Sequence, residues 1–127
     1  MSGSDIGYLR QPPFDALSPQ ARSHLQQHSK IVYLDNLQPL PSDWQGDFFI
    51  ILKGQLQQLQ GSELICGLSA GDWFDTKAKN GVTFSFVTQQ QSLLYRINAQ
   101  ALETVTEQHP ALKNEIGRAS CRERVSS

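Results

Sequence analysis

Six short stretches of the chain, residues 30–34, 47–52, 55–60, 63–66, 82–87 and 92–97, read as strands of period two. A period of two marks a strand with one face turned to a core. Turn residues separate these stretches: Gly46, Gly54, Gly61 with Ser62, Gly67, Gly71, and Asn80 with Gly81. Of these, Gln60-Gly61-Ser62-Glu63 reads as a tight hairpin. Parallel strands need long crossover connections, and the connections here are short, so the pattern predicts a mainly β, antiparallel sandwich, barrel or jelly roll. Alternate positions place Phe49, Ile51, Leu56, Leu64, Phe74, Phe84, Phe86 and Leu94 in one shared core.

The pattern changes at both ends. Ser18 has the features of an N-cap with Pro19 at the first helical position, predicting a helix to about Ser29 whose narrow buried stripe is Leu17, Ala21 and Leu25. Asn98 caps a second helix through Leu102 and Val105 that stops at His109-Pro110, with His109 as a cation near the helix C-terminus.

With 127 residues the chain holds about one domain. Its 39% hydrophobic and 18% charged residues and net charge of -1 are those of an ordinary globular chain. The longest apolar run, from Phe48 to Leu52, is far too short to span a membrane, and the N-terminus lacks the basic-then-apolar order of a secretory signal, so the cytoplasm is expected. No excess of Lys and Arg is present to neutralise a phosphate backbone, which argues against nucleic-acid and membrane partners. Residues 115–125 can be encoded in frame by a widely used sequencing adapter. Residues 116–127 are therefore read as a translated artefact that packs against nothing, and the natural sequence as running past Glu115 into further domains. Without that tail, 8 Lys and Arg stand against 11 Asp and Glu, a charge of -3. Cys66, in an apolar setting, is expected to be a buried, inert thiol, and no disulfide framework exists.

Catalytic patterns are missing. His24 and His28 lie four apart on the first helix without a third ligand at a recognisable spacing, which reads as a solvated face and no metal site. A cupin site needs histidines on strands, and none of the three lies on one. No nucleophile is flanked by a His and an acid, so no catalysis and no cofactor are assigned to this chain. Trp44 and Trp73 flank turns and are expected to seal the ends of the β structure.

Two stretches, Phe48-Phe49-Ile50-Ile51-Leu52-Lys53-Gly54-Gln55-Leu56 and Leu68-Ser69-Ala70-Gly71-Asp72-Trp73-Phe74, together with the order helix, strands, helix, resemble a cyclic-nucleotide-binding domain over residues 13–112. The resemblance implies an antiparallel double-stranded β-helix, a jelly-roll-like β-roll with short flanking helices, over residues 13–115 after a lead of residues 1–12. A shorter likeness, Pro12-Pro13-Phe14-Asp15-Ala16-Leu17-Ser18, is similar to the start of bacterial proteins that join such a domain to paired CBS modules and a nucleotidyltransferase domain.

The family's phosphate cassette follows the Gly-Asp-aromatic-Phe turn. It binds the cyclic phosphate with one Arg and short-helix N–H groups, and the ribose with a Glu. Here the corresponding residues are Gly71, Asp72, Phe74, Asp75, Thr76, Lys77, Lys79 and Thr83, with no Arg between Arg22 and Arg96 and no Glu between Glu63 and Glu103. Arg96 stands too late in the chain for the cassette. Lys77 and Lys79 lack the two-pronged fit of a guanidinium. Cyclic AMP and cyclic GMP are therefore not the expected ligands. A small anion on Lys77 or Lys79 is the alternative. The implied function is a regulatory module with a degenerate site, whose partners are its own downstream domains. The runner-up is the ligand-sensing domain of a catabolite-activator-type transcription regulator, binding a cyclic nucleotide or other small anion. The oligomeric state is left open.

Overall fold

In a computed structural model, residues 14, 17–76 and 84–117 are described. The elements run α1 Pro19–Gln27, β1 Ser29–Leu34, a 3-10 turn Ser42–Trp44, β2 Phe48–Lys53, β3 Gln55–Gln60, β4 Glu63–Ser69, β5 Trp73–Asp75, β6 Ser85–Thr88, β7 Ser92–Ile97, α2 Ala99–Gln108 and α3 Pro110–Gly117. Every strand pairing is antiparallel. One sheet has the order β1-β7-β2-β5 and the other β4-β3-β6, and the two face each other as a β-roll.

The helix caps form as the sequence indicates. The Ser18 hydroxyl accepts from Ala21 N–H at 3.2 Å, and Asn98 Oδ1 accepts from Gln100 and Ala101 N–H at 2.9 and 3.1 Å. Asn98→Ala orphans both donors and is expected to lower stability by about 1 kcal/mol, read as a shifted urea midpoint at unchanged slope. The first helix ends at Gln27, two residues before Ser29, because Ser29 already pairs with Ile97 in the sheet and its hydroxyl donates to Leu25 O. The second helix stops at Gln108 as expected, yet Pro110 does not end helical structure. It opens α3, where its fixed φ suits a first turn, and His109 O accepts from Leu112 N–H at 2.9 Å. Residues 116 and 117 continue that helix, and residues 118–127 lie outside the described residues.

The single core expected from alternation is two. Phe49, Ile51, Leu56, Phe74, Phe86 and Leu94 fill the roll as anticipated, joined by Leu34, Cys66 and Leu68. A second cluster lies behind the four-stranded sheet, where Phe48, Ile50, Tyr95 and Ile97 meet Phe14, Leu17, Ala21, Leu25, Ala101, Val105 and Leu112. Strand β2 therefore buries both faces, the pattern of a strand covered on each side. The 3-10 turn carries Trp44 against the roll interior and Trp73 packs against the helix-side cluster, so both indoles close apolar edges.

Leu64 departs from the expected core and is 53% exposed. The β3–β4 register shifts between Gln58 and Leu59, so that Gln58 faces Cys66 but Leu59 faces Leu64. The extra residue, Ile65, reverses the alternation beyond it and turns Leu64 outward. Phe84 is only partly buried against the roll interior. Strand β6 is seen over Ser85–Thr88, while the expected Asn80-Gly81 turn and the start of the predicted strand at Val82 fall outside the described residues.

Candidate functional site

The stretch that resembles the cassette leads out of β4. Gly71 sits at φ +95, a conformation that favours glycine, and its N–H donates to Ile51 O at 2.9 Å. Asp72 closes the same turn. Its carboxylate accepts from Ser69 N–H at 2.8 Å, its N–H donates to Ser69 O, and its carbonyl accepts from Ile51 N–H at 2.9 Å. The chain then forms β5, three residues that the sequence pattern does not separate from the turn, paired with β2 by Phe74 opposite Phe49 and Asp75 opposite Phe48.

Phe74 points into the roll. Its ring stacks on Phe49 at 5.1 Å and on Phe86 at 4.2 Å, and Trp44 adds a tilted contact with Phe49 at 5.8 Å. Three rings, Phe49, Phe74 and Phe86, thus stack in series through the roll interior, with Trp44 tilted onto one end. Asp75 lies on the opposite face of its strand, toward the helix side.

Thr76 is 3% exposed. Its hydroxyl accepts from Gly46 N–H at 2.6 Å and donates to Asp47 O at 2.8 Å, its own N–H donates to Asp47 O at 3.2 Å, and its carbonyl accepts from the Gln45 side-chain amide. Gly71 N–H, Asp72 Oδ2 and backbone, and the Thr76 hydroxyl and backbone are thus bound into turns of the fold. Lys77, Lys79 and Thr83 lie outside the described residues.

A charged pair closes one end of the roll. Arg96 stands opposite Phe49 and Lys30 on the inward side of the sheet, two residues beyond buried Leu94. Its Nε donates to Asp47 Oδ2 at 2.6 Å, and the guanidinium lies 5.2 Å from the centre of the Trp44 ring, within cation–π range. The other carboxylate oxygen of Asp47 accepts from Ala99 N–H at 3.1 Å, fastening the start of α2. Asp47 thereby ties β2, β7, α2 and, through its carbonyl, the Thr76 turn. The period-two parity of Leu94 and Arg96 was the signal for this inward arginine, although its late position in the chain removes it from the cassette. Beside the pair an open cleft of about 290 Å³ is lined by Gln27, His28, Ser29, Lys30, Asp47, Arg96 and Asn98.

The His24 and His28 rings approach to 4.9 Å. Among the described residues no group of three His, Cys, Asp or Glu side chains could hold a metal, and no helix is long and apolar enough to cross a membrane. Cys66 is buried, with its thiol 3.7 Å from Gln58 Oε1.

No protein-family model matches the sequence, and no curated protein matches it. Solved structures do. The sensor domain of the transcriptional regulator DNR from Pseudomonas aeruginosa superposes with a TM-score of 0.74 at 16% identity, over 90% of this chain and 82% of that one. A candidate cyclic-nucleotide-binding protein from Geobacter metallireducens GS-15 gives 0.72 at 17% identity, over 91% and 94% of the two chains. The C-linker/CNBHD of zELK channels gives 0.62 at 19% identity over 78% of this chain, which spans 60% of that channel segment. The fold is therefore that of cyclic-nucleotide-binding domains.

Proposed function

We propose that this chain is a regulatory module, a cyclic-nucleotide-binding-type β-roll whose nucleotide site is degenerate. It acts through contact with further domains of a larger bacterial signalling protein of the kind that carries CBS modules and a nucleotidyltransferase domain. The observation that carries the reading is the state of the roll. Its interior is occupied by the Trp44, Phe49, Phe74 and Phe86 rings, its inward arginine is paired with Asp47, and the sequence from Asp75 to Val87 offers neither Arg nor Glu. Burying a nucleotide phosphate without a fixed counter-charge is costly. The short likeness around Pro12-Pro13-Phe14 supports the wider context. Residues 13–115 are the domain in this reading, and residues 116–127 the translated adapter.

A second reading has its own support. The likeness to the DNR sensor domain favours the ligand-sensing domain of a transcription regulator, in which Lys77 or Lys79 would hold a cyclic nucleotide or other small anion. One titration separates the two. Charge-assisted hydrogen bonds are worth roughly 1.5–3 kcal/mol each, so the loss of two such groups weakens cyclic AMP binding by about 100-fold or more. Isothermal titration at micromolar protein is expected to give no saturable heat with cyclic AMP or cyclic GMP. Saturable heat abolished by Lys77→Ala or Lys79→Ala would overturn the degenerate site and favour the sensor.

A further inference from the structure

The free edge of β1 differs from the other sheet edges. Asn98 N–H donates to His28 O at 3.2 Å in continuation of the β1–β7 ladder, which sets the phase of that ladder. In an antiparallel pair the residues that turn their N–H and C=O toward the neighbour alternate. His28, Lys30, Val32 and Leu34 therefore face β7, and the backbone groups of Ser29, Ile31 and Tyr33 face away from it, toward an edge on which no described strand lies. The side chains at the same positions are the exposed apolar ones of this strand, Ile31 at 43% and Tyr33 at 54%.

Exposed sheet edges template pairing with other chains and are normally shortened, bulged or covered. The remaining edges here follow that rule. Strand β5 has three residues, β4 carries a register shift, and β6 has four residues and is bridged at Val87 by Pro39. Strand β1 has six residues in unbroken register and contains no proline.

We propose that β1 pairs antiparallel with β1 of a second copy of this chain, joining two four-stranded sheets across a two-fold axis through Val32. The register is self-complementary. Ile31 lies opposite Tyr33 of the partner subunit and Tyr33 opposite Ile31 of the partner subunit, each pair exchanging two N–H to O=C bonds through groups that already point outward. The same axis sets Lys30 across from Leu34 of the partner subunit and Ser29 across from Asp35 of the partner subunit, so no like charges stand opposite one another. The apolar strip continues inward through half-buried Leu93, the register partner of Tyr33. An interface of this length falls below the roughly 1,200 Å² at which stable interfaces begin, so the dimer is reversible, with a dissociation constant on the order of 100 µM.

Sedimentation equilibrium of the whole chain from about 10 µM to about 1 mM tests this. The mean mass is expected to rise from 14.2 kDa toward twice that value and no further, because an isologous pair closes. Over the same range, hydrogen exchange at the Ile31 and Tyr33 amides is expected to slow. Ile31→Lys with Tyr33→Lys changes only exposed positions and is expected to weaken association about tenfold or more, whereas Leu64→Lys, an exposed apolar position on β4, leaves it unchanged. A single mass of 14.2 kDa throughout, growth beyond the dimer, survival of the dimer in the double variant, its loss in Leu64→Lys, or unchanged exchange at the two amides would each overturn the proposal.

Discussion

Replacing Gly54 with alanine is expected to remove about 3–5 kcal/mol of stability, a large share of the roughly 5–15 kcal/mol that holds a domain folded. Gly54 is the hinge at which the chain leaves the four-stranded sheet on β2 and enters the three-stranded sheet on β3. Two costs add there. Its φ of +106 lies where side chains are strained, about 1–3 kcal/mol, and a β-carbon would meet Ser92 Oγ at 2.1 Å, Cβ at 2.6 Å and Cα at 2.7 Å. Ser92 is itself buried, and its hydroxyl donates to Gln90 O, so the overpacking adds about 1–3 kcal/mol. Urea unfolding of Gly54→Ala should show an earlier midpoint at unchanged slope. Adding Ser92→Gly should recover only part of the loss, because the clash with the backbone of residue 92 and the strained φ both remain. A loss under about 1 kcal/mol in the single variant would contradict the hinge geometry.

Phe74→Ala should cost a similar amount, about 3–5 kcal/mol, by leaving a cavity between two stacked rings. Phe74 lies in the middle of the series, between Phe49 and Phe86, at a position 3% exposed. Its neighbours belong to β2 and β6, one in each sheet, so they cannot both collapse into the void without breaking a ladder. The near-UV circular dichroism of the aromatic series should weaken along with the thermal midpoint. Leu64→Ala, at an exposed site, should change stability by less than about 0.5 kcal/mol. If Phe74→Ala were as mild as Leu64→Ala, the roll interior would not be packed by these rings.

The roll was legible in the sequence where alternation is strict. The strand of Gln55 to Gln60, the hairpin at Gly61-Ser62 and the caps at Ser18 and Asn98 each follow from local chemistry, and local chemistry is what a sequence displays directly. The run Phe48-Phe49-Ile50-Ile51 is different. It has no alternation, and its continuity signals burial on both faces, which is why one core became two. The bulge that turns Leu64 outward has no sequence mark, since Ile65 is an ordinary strand residue. Strand β5 is too short to show a period, and Pro110 reads equally as the end of one helix and the start of the next. The candidate site was legible as a motif and less so as a set of interactions. Gly71 and Asp72 are placed by the likeness, but the union of Asp47 with Arg96, 49 positions apart, depends on the pairing of β2 with β7.

The described residues on each side of 77–83 are fastened to the fold. On one side Thr76 is bound by the turn through Trp44, Gly46 and Asp47. On the other, β6 is laddered to β3, and Leu40 N–H donates to Phe86 O at 2.9 Å. In the proposed reading, the scaffold and the segment that would read a ligand are separable. On that reading a segment carrying an arginine and a glutamate, grafted between Thr76 and Phe84, asks whether this frame supports nucleotide recognition.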